Sequence, residues 1–74
     1  MYHRLQFLVN HQFDLQMPKK ARLEQIVIKE GEIIEARVRP YVQETQDGPV
    51  EVADLDLPGD GTLLAVRMEL FCFA

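Results

Sequence analysis

From position 3 to 17 the chain alternates. His3, Leu5, Phe7, Val9, His11, Phe13, Leu15 and Met17 take the odd places, and Arg4, Gln6, Leu8, Asn10, Gln12, Asp14 and Gln16 the even ones. Only Leu8 breaks the polar set. Successive side chains of a strand point to opposite faces, so this period of two predicts β structure with one buried face. On a helix the same apolar residues would scatter around the axis. The stretch is far longer than the ~5–6 residues of an ordinary strand. A bend, bulge or turn is therefore expected near Asn10-His11, with strands on both sides.

Pro18 ends the alternation, and Lys19-Lys20-Ala21-Arg22 follows as a basic connector with room for one helical turn starting at Pro18. Leu23 to Ile28 is rich in β-branched residues and predicts a strand. Lys29-Glu30-Gly31-Glu32 predicts a hairpin turn. Ile33 to Val42 alternates again, with Ile34, Ala36, Val38 and Val42 on one face and Glu35, Arg37, Arg39 and Tyr41 on the other. Pro40 cannot donate a ladder hydrogen bond, so it marks an edge or a strand's end. Gln43 to Pro49 is expected to be a loop around Asp47-Gly48. Val50 to Leu57 predicts a strand, with Val52 as core on one face and Ala53, Leu55 and Leu57 on the other. Pro58-Gly59-Asp60-Gly61 is the strongest turn signal, and Thr62 to Arg67 should return antiparallel to the preceding strand. Met68 to Ala74 either continues that strand or forms a 3₁₀ turn, Met68-Glu69-Leu70, before a last strand, Phe71-Cys72-Phe73.

Several short strands separated by turns predict an all-β single domain over residues 1–74, a small antiparallel barrel of five or six strands. Glu51-Val52-Ala53-Asp54-Leu55, the Asp60-Gly61 hairpin, Leu64-Ala65-Val66 and then Leu70-Phe71 resemble the ending of SH3-like small barrels. That family closes with a hairpin, a 3₁₀ turn and a short last strand, and it includes small accessory subunits of photosynthetic electron-transfer complexes. The resemblance implies an SH3-like barrel acting as an accessory subunit. It covers the last third of the chain. The long alternating amino-terminal segment departs from the usual SH3 order, and the aromatic set that signalling SH3 domains use for proline-rich peptides has no match here.

Length and composition narrow the chemistry. A chain of 74 residues buries only ~60% of the surface its unfolded form exposes, which leaves little room for a large catalytic cleft. Serine is absent, and Thr45 and Thr62 are the only aliphatic hydroxyls, so no Ser-His-Asp chemistry can arise within the chain. The single cysteine, Cys72, excludes an intrachain disulfide and points to a cytoplasmic setting. The longest apolar run, Leu70 to Ala74, is too short to span a bilayer, and Met1 to Asn10 lacks the pattern of a signal peptide. Cys72 lies between Phe71 and Phe73 and is expected to be a small buried hydrophobe.

Metal chemistry finds little support. His3 and His11 share a parity, but eight strand residues separate them by ~26 Å, so two exposed rim histidines are the expectation. Asp54, Asp56 and Asp60 invite a calcium loop. Leu57-Pro58-Gly59 interrupts it, however, and Ala65 stands where the twelfth-position glutamate belongs. No catalytic residue, cofactor or metal site is expected.

Charge and surplus apolarity are more pointed. Residues 1–39 carry seven bases against five acids, a net of +2, whereas residues 40–74 carry one base against seven acids, a net of −6. Such an acidic half repels phosphate backbones and suits a basic protein partner. Arg37, Arg39 and Tyr41 belong to residue types enriched at binding hot spots, and they also stack on bases. Cross-strand pairing with Glu32 or Glu35 is the structural alternative for the arginines. From Leu63 to Ala74 apolar residues fall on both parities, as if both faces were covered, which suggests an interface. The expectation is a non-enzymatic accessory or adaptor protein that binds another protein and self-associates, using Arg37, Arg39, Tyr41, Phe71 and Phe73. The alternative is a small RNA- or single-strand-binding barrel that uses Arg37, Arg39 and Tyr41.

Overall fold

The computed structural model describes residues 1–19, 21–59 and 61–74. The turn at Asp60 and the Lys20 part of the basic connector lie outside the described residues. Among the described residues seven strands follow one another: β1 (His3–Phe7), β2 (His11–Gln16), β3 (Leu23–Ile28), β4 (Ile33–Thr45), β5 (Gly48–Leu57), β6 (Gly61–Arg67) and, after a 3₁₀ turn at Met68–Leu70, β7 (Phe71–Phe73). All pairings are antiparallel, in the order β3-β2-β6-β5-β4-β1-β7. The sheet curls into a half-barrel. The expectation of an all-β chain holds, and the count of five or six strands becomes seven.

The long alternating segment breaks at Leu8–Asn10, and its halves serve different parts of the sheet. β1 lies between β4 and β7, while β2 lies between β3 and β6. The same parity points inward throughout. Leu5, Phe7, Phe13 and Leu15 are buried with Ile28, Ala36, Ala53, Leu55, Leu63, Val66 and Phe71 in one core. The Phe7 ring sits 5.4 Å from Phe13 and 5.7 Å from Phe71, which ties β1, β2 and β7 together across the hollow.

Three local expectations change. The stretch after Pro18 is a turn and bend rather than a helical turn, with Lys19 in the left-handed region at φ 65°. Lys29–Glu32 is a tight turn, closed by the Glu32 amide donating to the Lys29 carbonyl at 3.0 Å, but no hairpin. β3 turns back on β2 and β4 pairs with β1 and β5, so the turn joins strands that are not neighbours. The expected loop from Gln43 to Pro49 shrinks to Gln46-Asp47, because β4 runs on to Thr45 and β5 begins at Gly48. The Thr45 hydroxyl donates to the Gly48 carbonyl at 2.7 Å and accepts the Asp47 amide at 3.2 Å, which closes the turn. Pro40 is tolerated inside β4 because β1 pairs only with Ile33–Ala36, so at Pro40 the strand is bonded on the β5 side alone.

The double parity of the carboxyl end has two local causes. Between Ala53↔Val66 and Leu55↔Leu63 the register slips, so Leu64 and Ala65 together oppose Asp54 in a β-bulge. Leu63 and Val66, three apart, therefore both face the core. The 3₁₀ turn then resets the phase again, so Phe71 is buried while Cys72 and Phe73 are exposed. The expected burial of Cys72 is not observed. Its ladder partner is Gln6, on the outer face of the sheet.

Gly61 opens β6 at φ 97°, and a Cβ there would overlap the carbonyl oxygen of Gln16. Gly31 has φ 85° and nothing within 4 Å of such a Cβ. Gly61→Ala should therefore lower stability by about 3 kcal/mol or more, and Gly31→Ala by only about 1 kcal/mol, as read from urea unfolding of the two variants.

Candidate protein-interaction site

The β4–β5 ladder runs Arg37↔Asp56, Val38↔Leu55, Arg39↔Asp54, Pro40↔Ala53 and Tyr41↔Val52. Opposed residues of an antiparallel pair share a face, so Arg37, Arg39, Tyr41, Asp54 and Asp56 all stand on the outer face. Two bases of the first half and two acids of the second thus share one face. In place of the alternative pairing of the arginines with Glu32 or Glu35, Arg39 pairs with Asp56 and Arg37 stands opposite Asp56 in the ladder.

Arg39 and Tyr41 each reach a diagonal acid rather than the residue directly opposite. Arg39 donates through Nε to Asp56 Oδ2 at 2.8 Å and through Nη2 to Asp56 Oδ1 at 3.0 Å, a two-pronged contact. Thr62, across from Asp56 on β6, donates its hydroxyl to Oδ1 at 2.7 Å. The Tyr41 hydroxyl donates to Asp54 Oδ1 at 3.0 Å, and the Ala65 amide donates to the same oxygen at 2.9 Å. Asp54 therefore locks the bulge from outside and orients Tyr41. Arg37 extends over the Tyr2 ring, 5.6 Å from its centroid.

These contacts set the titration of the group. The Thr62 hydroxyl and then the Arg39 guanidinium stabilise the Asp56 carboxylate and hold its pKa below the ordinary value. The carboxylate in turn raises that of Arg39. Burial and then the bond to Asp54 push the Tyr41 phenol up. The Arg39 side chain nonetheless stays 56% exposed, so the array is ordered yet open to a partner.

Phe71 and Phe73 divide. Phe71 is 5% exposed and belongs to the core, whereas Phe73 is 56% exposed. Phe73 pairs with Leu5 on the inner face, but at the open rim of the half-barrel. There its ring meets His3 edge-on at 5.4 Å. His3 shares the inner-face parity of Leu5, whereas the neighbouring Tyr2 lies with Arg37 on the outer side. Of the five residues singled out, the structure brings Arg37, Arg39 and Tyr41 together on the outer face, leaves Phe73 exposed on the inner-face parity beside His3, and withdraws Phe71 into the core.

His11 is far along the fold from His3, beside Phe13 at 4.7 Å. Among the described residues, no three His, Cys, Asp or Glu side chains gather as a metal site. Of the calcium trio, Asp54 and Asp56 spend their oxygens on Tyr41, Ala65, Arg39 and Thr62, and Asp60 lies outside the described residues. Among the described residues, no helix is long and apolar enough to cross a membrane. No family model, curated protein or solved structure matches the chain.

Sequence reasoning missed Tyr2, Thr62 and the part played by Asp54 and Asp56. A usable signal was present for the aspartates. Asp54 and Asp56 alternate with apolar residues just as Arg37 and Arg39 do. A two-residue turn at Gln46-Asp47 aligns the two pairs.

Asp54→Ala should destabilise by about 1–3 kcal/mol, because the Ala65 amide loses its acceptor. Ala65→Gly should be neutral or stabilising by up to about 1 kcal/mol, because Ala65 holds φ 51°. Urea titrations of both variants check this. The depressed Asp56 pKa contributes stability that is fully present above about pH 4, the unfolded value, and is lost as pH falls through the lower folded value. Asp56→Asn should flatten the acid limb of a plot of melting temperature against pH between 5 and 2.

Proposed function

We propose that this chain is a non-enzymatic accessory or adaptor module, an SH3-like half-barrel that docks another protein as a small subunit of a larger assembly. The observation that carries the reading is the interleaving of Arg37 and Arg39 with Asp54 and Asp56 on one outer face. Two bases and two acids leave the array without net charge. A phosphate approaching Arg39 would have to displace Asp56 and pass beside Asp54, which disfavours a nucleic-acid backbone. A protein surface can instead match both signs and cover the aromatic rings of Tyr2 and Tyr41. The array is already oriented by its own hydrogen bonds, so little side-chain freedom is lost on docking. The exposed free thiol of Cys72 suits a reducing compartment, in keeping with a cytoplasmic setting.

The test compares wild type with the Arg39→Ala, Tyr41→Ala double variant, both immobilised. Each is offered native lysate and, separately, a labelled single-stranded 20-mer at low salt. The reading expects a discrete protein retained by wild type and reduced about ten-fold or more on the variant, with circular dichroism unchanged. It is overturned if nothing is retained, or if the oligonucleotide binds with a steep salt dependence.

A further inference from the structure

The half-barrel leaves two strand edges, and they are defended unequally. β7 is a three-residue strand, too short to template another. β3 is different. It pairs six consecutive residues with β2, from Gln16↔Leu23 to His11↔Ile28, without a register shift. It contains no proline, lysine or arginine, and its one charge is Glu24, opposite Leu15 on the inner face near the start of the strand. Among the described residues, β2 is its one ladder partner. Its other side thus presents alternate backbone N–H and C=O groups to solvent.

The outer-face residues of β3 are Leu23, Gln25 and Val27, an apolar–polar–apolar set symmetric about Gln25. Leu23 is 44% and Val27 61% exposed. Gln25 is steadied by Gln12, whose amide donates to its carbonyl oxygen, and by Asp14, to which it donates at 3.5 Å. A twofold axis perpendicular to the sheet keeps inner faces inward only if a residue pairs with its own copy. Centred on Gln25, the axis sets Leu23 of each copy against Val27 of the other and joins the two sheets into one. Charge follows the same symmetry. In the sequence Lys19, Lys20 and Arg22 precede β3, a net of +3, and Lys29, Glu30 and Glu32 follow it, a net of −1. Antiparallel docking lays the basic approach of one copy beside the acidic exit of the other.

We propose that the occupant of the β3 edge is a second copy of this chain, paired antiparallel in the register centred on Gln25. The surface is separate from the Arg37–Arg39–Tyr41 array, so the dimer presents two such arrays at once. Within β3 this register pairs only the five residues Leu23 to Val27 of each copy, so the association is weak and concentration-dependent.

Sedimentation velocity across a concentration series tests the proposal, with three variants beside wild type. Gln25→Lys and Gln25→Glu each set like charges against themselves across the axis and should weaken the dimer about ten-fold. An equimolar mixture of the two should recover association, because lysine then faces glutamate. Val27→Lys, on an exposed side chain, should also weaken it, and circular dichroism and melting temperature confirm that each variant is folded. A wild type monomeric up to about 1 mM overturns the proposal. So does a dimer indifferent to these substitutions, or one whose mixture fails to recover, since either outcome places the contact at another surface or register.

Discussion

The bulge at Leu64-Ala65, and the carboxylate that holds it, is the constraint on which the rest of this half-barrel turns. A strand that alternated strictly from Gly61 to Arg67 could bury Leu63 or Val66 but not both. Slipping one residue opposite Asp54 lets both face the core and leaves Ala65 in a left-handed conformation that an L side chain resists. The bond from the Ala65 amide to Asp54 offsets that strain. The slip also turns β6 away from β2, whose ladder to it extends over only Leu15↔Leu63 and Gln16↔Thr62. An open cleft of about 520 Å³ lies between the diverging strands, lined in part by His11, Asp14, Leu64 and Arg67.

Asp54 couples this backbone device to the outer surface. The oxygen that caps the bulge also accepts the Tyr41 hydroxyl, so the position of the ring depends on the geometry of β6. Val52, on the same outer face, is 1% exposed between Tyr41 and Arg67 in the ladder. A second, smaller apolar contact is thereby buried outside the main core, and Tyr41 has a structural part as well as an exposed edge. Exposed ion pairs contribute little to stability one by one. The value of the Arg39–Asp56–Thr62 group lies in orientation, because each member restricts the rotamers of the others.

An open sheet of this size has to manage its ends as well as its core. One end closes by brevity in β7 and by the aromatic contacts of Phe73 with His3 and Phe71. The other end carries a regular six-residue strand whose solvent face is partly apolar. The molecule thus separates its features by face. The inner face supplies stability, the outer face an ordered polar and aromatic array, and β3 an edge whose one ladder partner among the described residues is β2.

Strand positions were legible because alternation is local. Each residue's face follows from its neighbours, so β1, β2, the two faces of β4 up to Val38, and the return of β6 on β5 could be read directly. The 3₁₀ turn at Met68–Leu70 was one of two readings left open, since Met68 and Leu70 on one parity with Glu69 between them fit a strand as well. What could not be read was which strand sits beside which, because pairing is a property of residues far apart in the chain. Lys29–Glu32 looks like any hairpin turn, yet Ile28 belongs beside β2 and Ile33 beside β1. Surplus apolar parity at the carboxyl end looked like a covered face, because a bulge changes parity without leaving a mark in composition. The burial of Phe71, the exposure of Cys72 and the meeting of Arg39 with Asp56 all follow from that slip, from the phase reset at the 3₁₀ turn, or from the register of the long hairpin. The sequence by itself determined which residues form strands and, within each, which side is apolar. Only the tertiary structure decided pairing, register and the acid that faces each base, because those are fixed by closing the core as a whole.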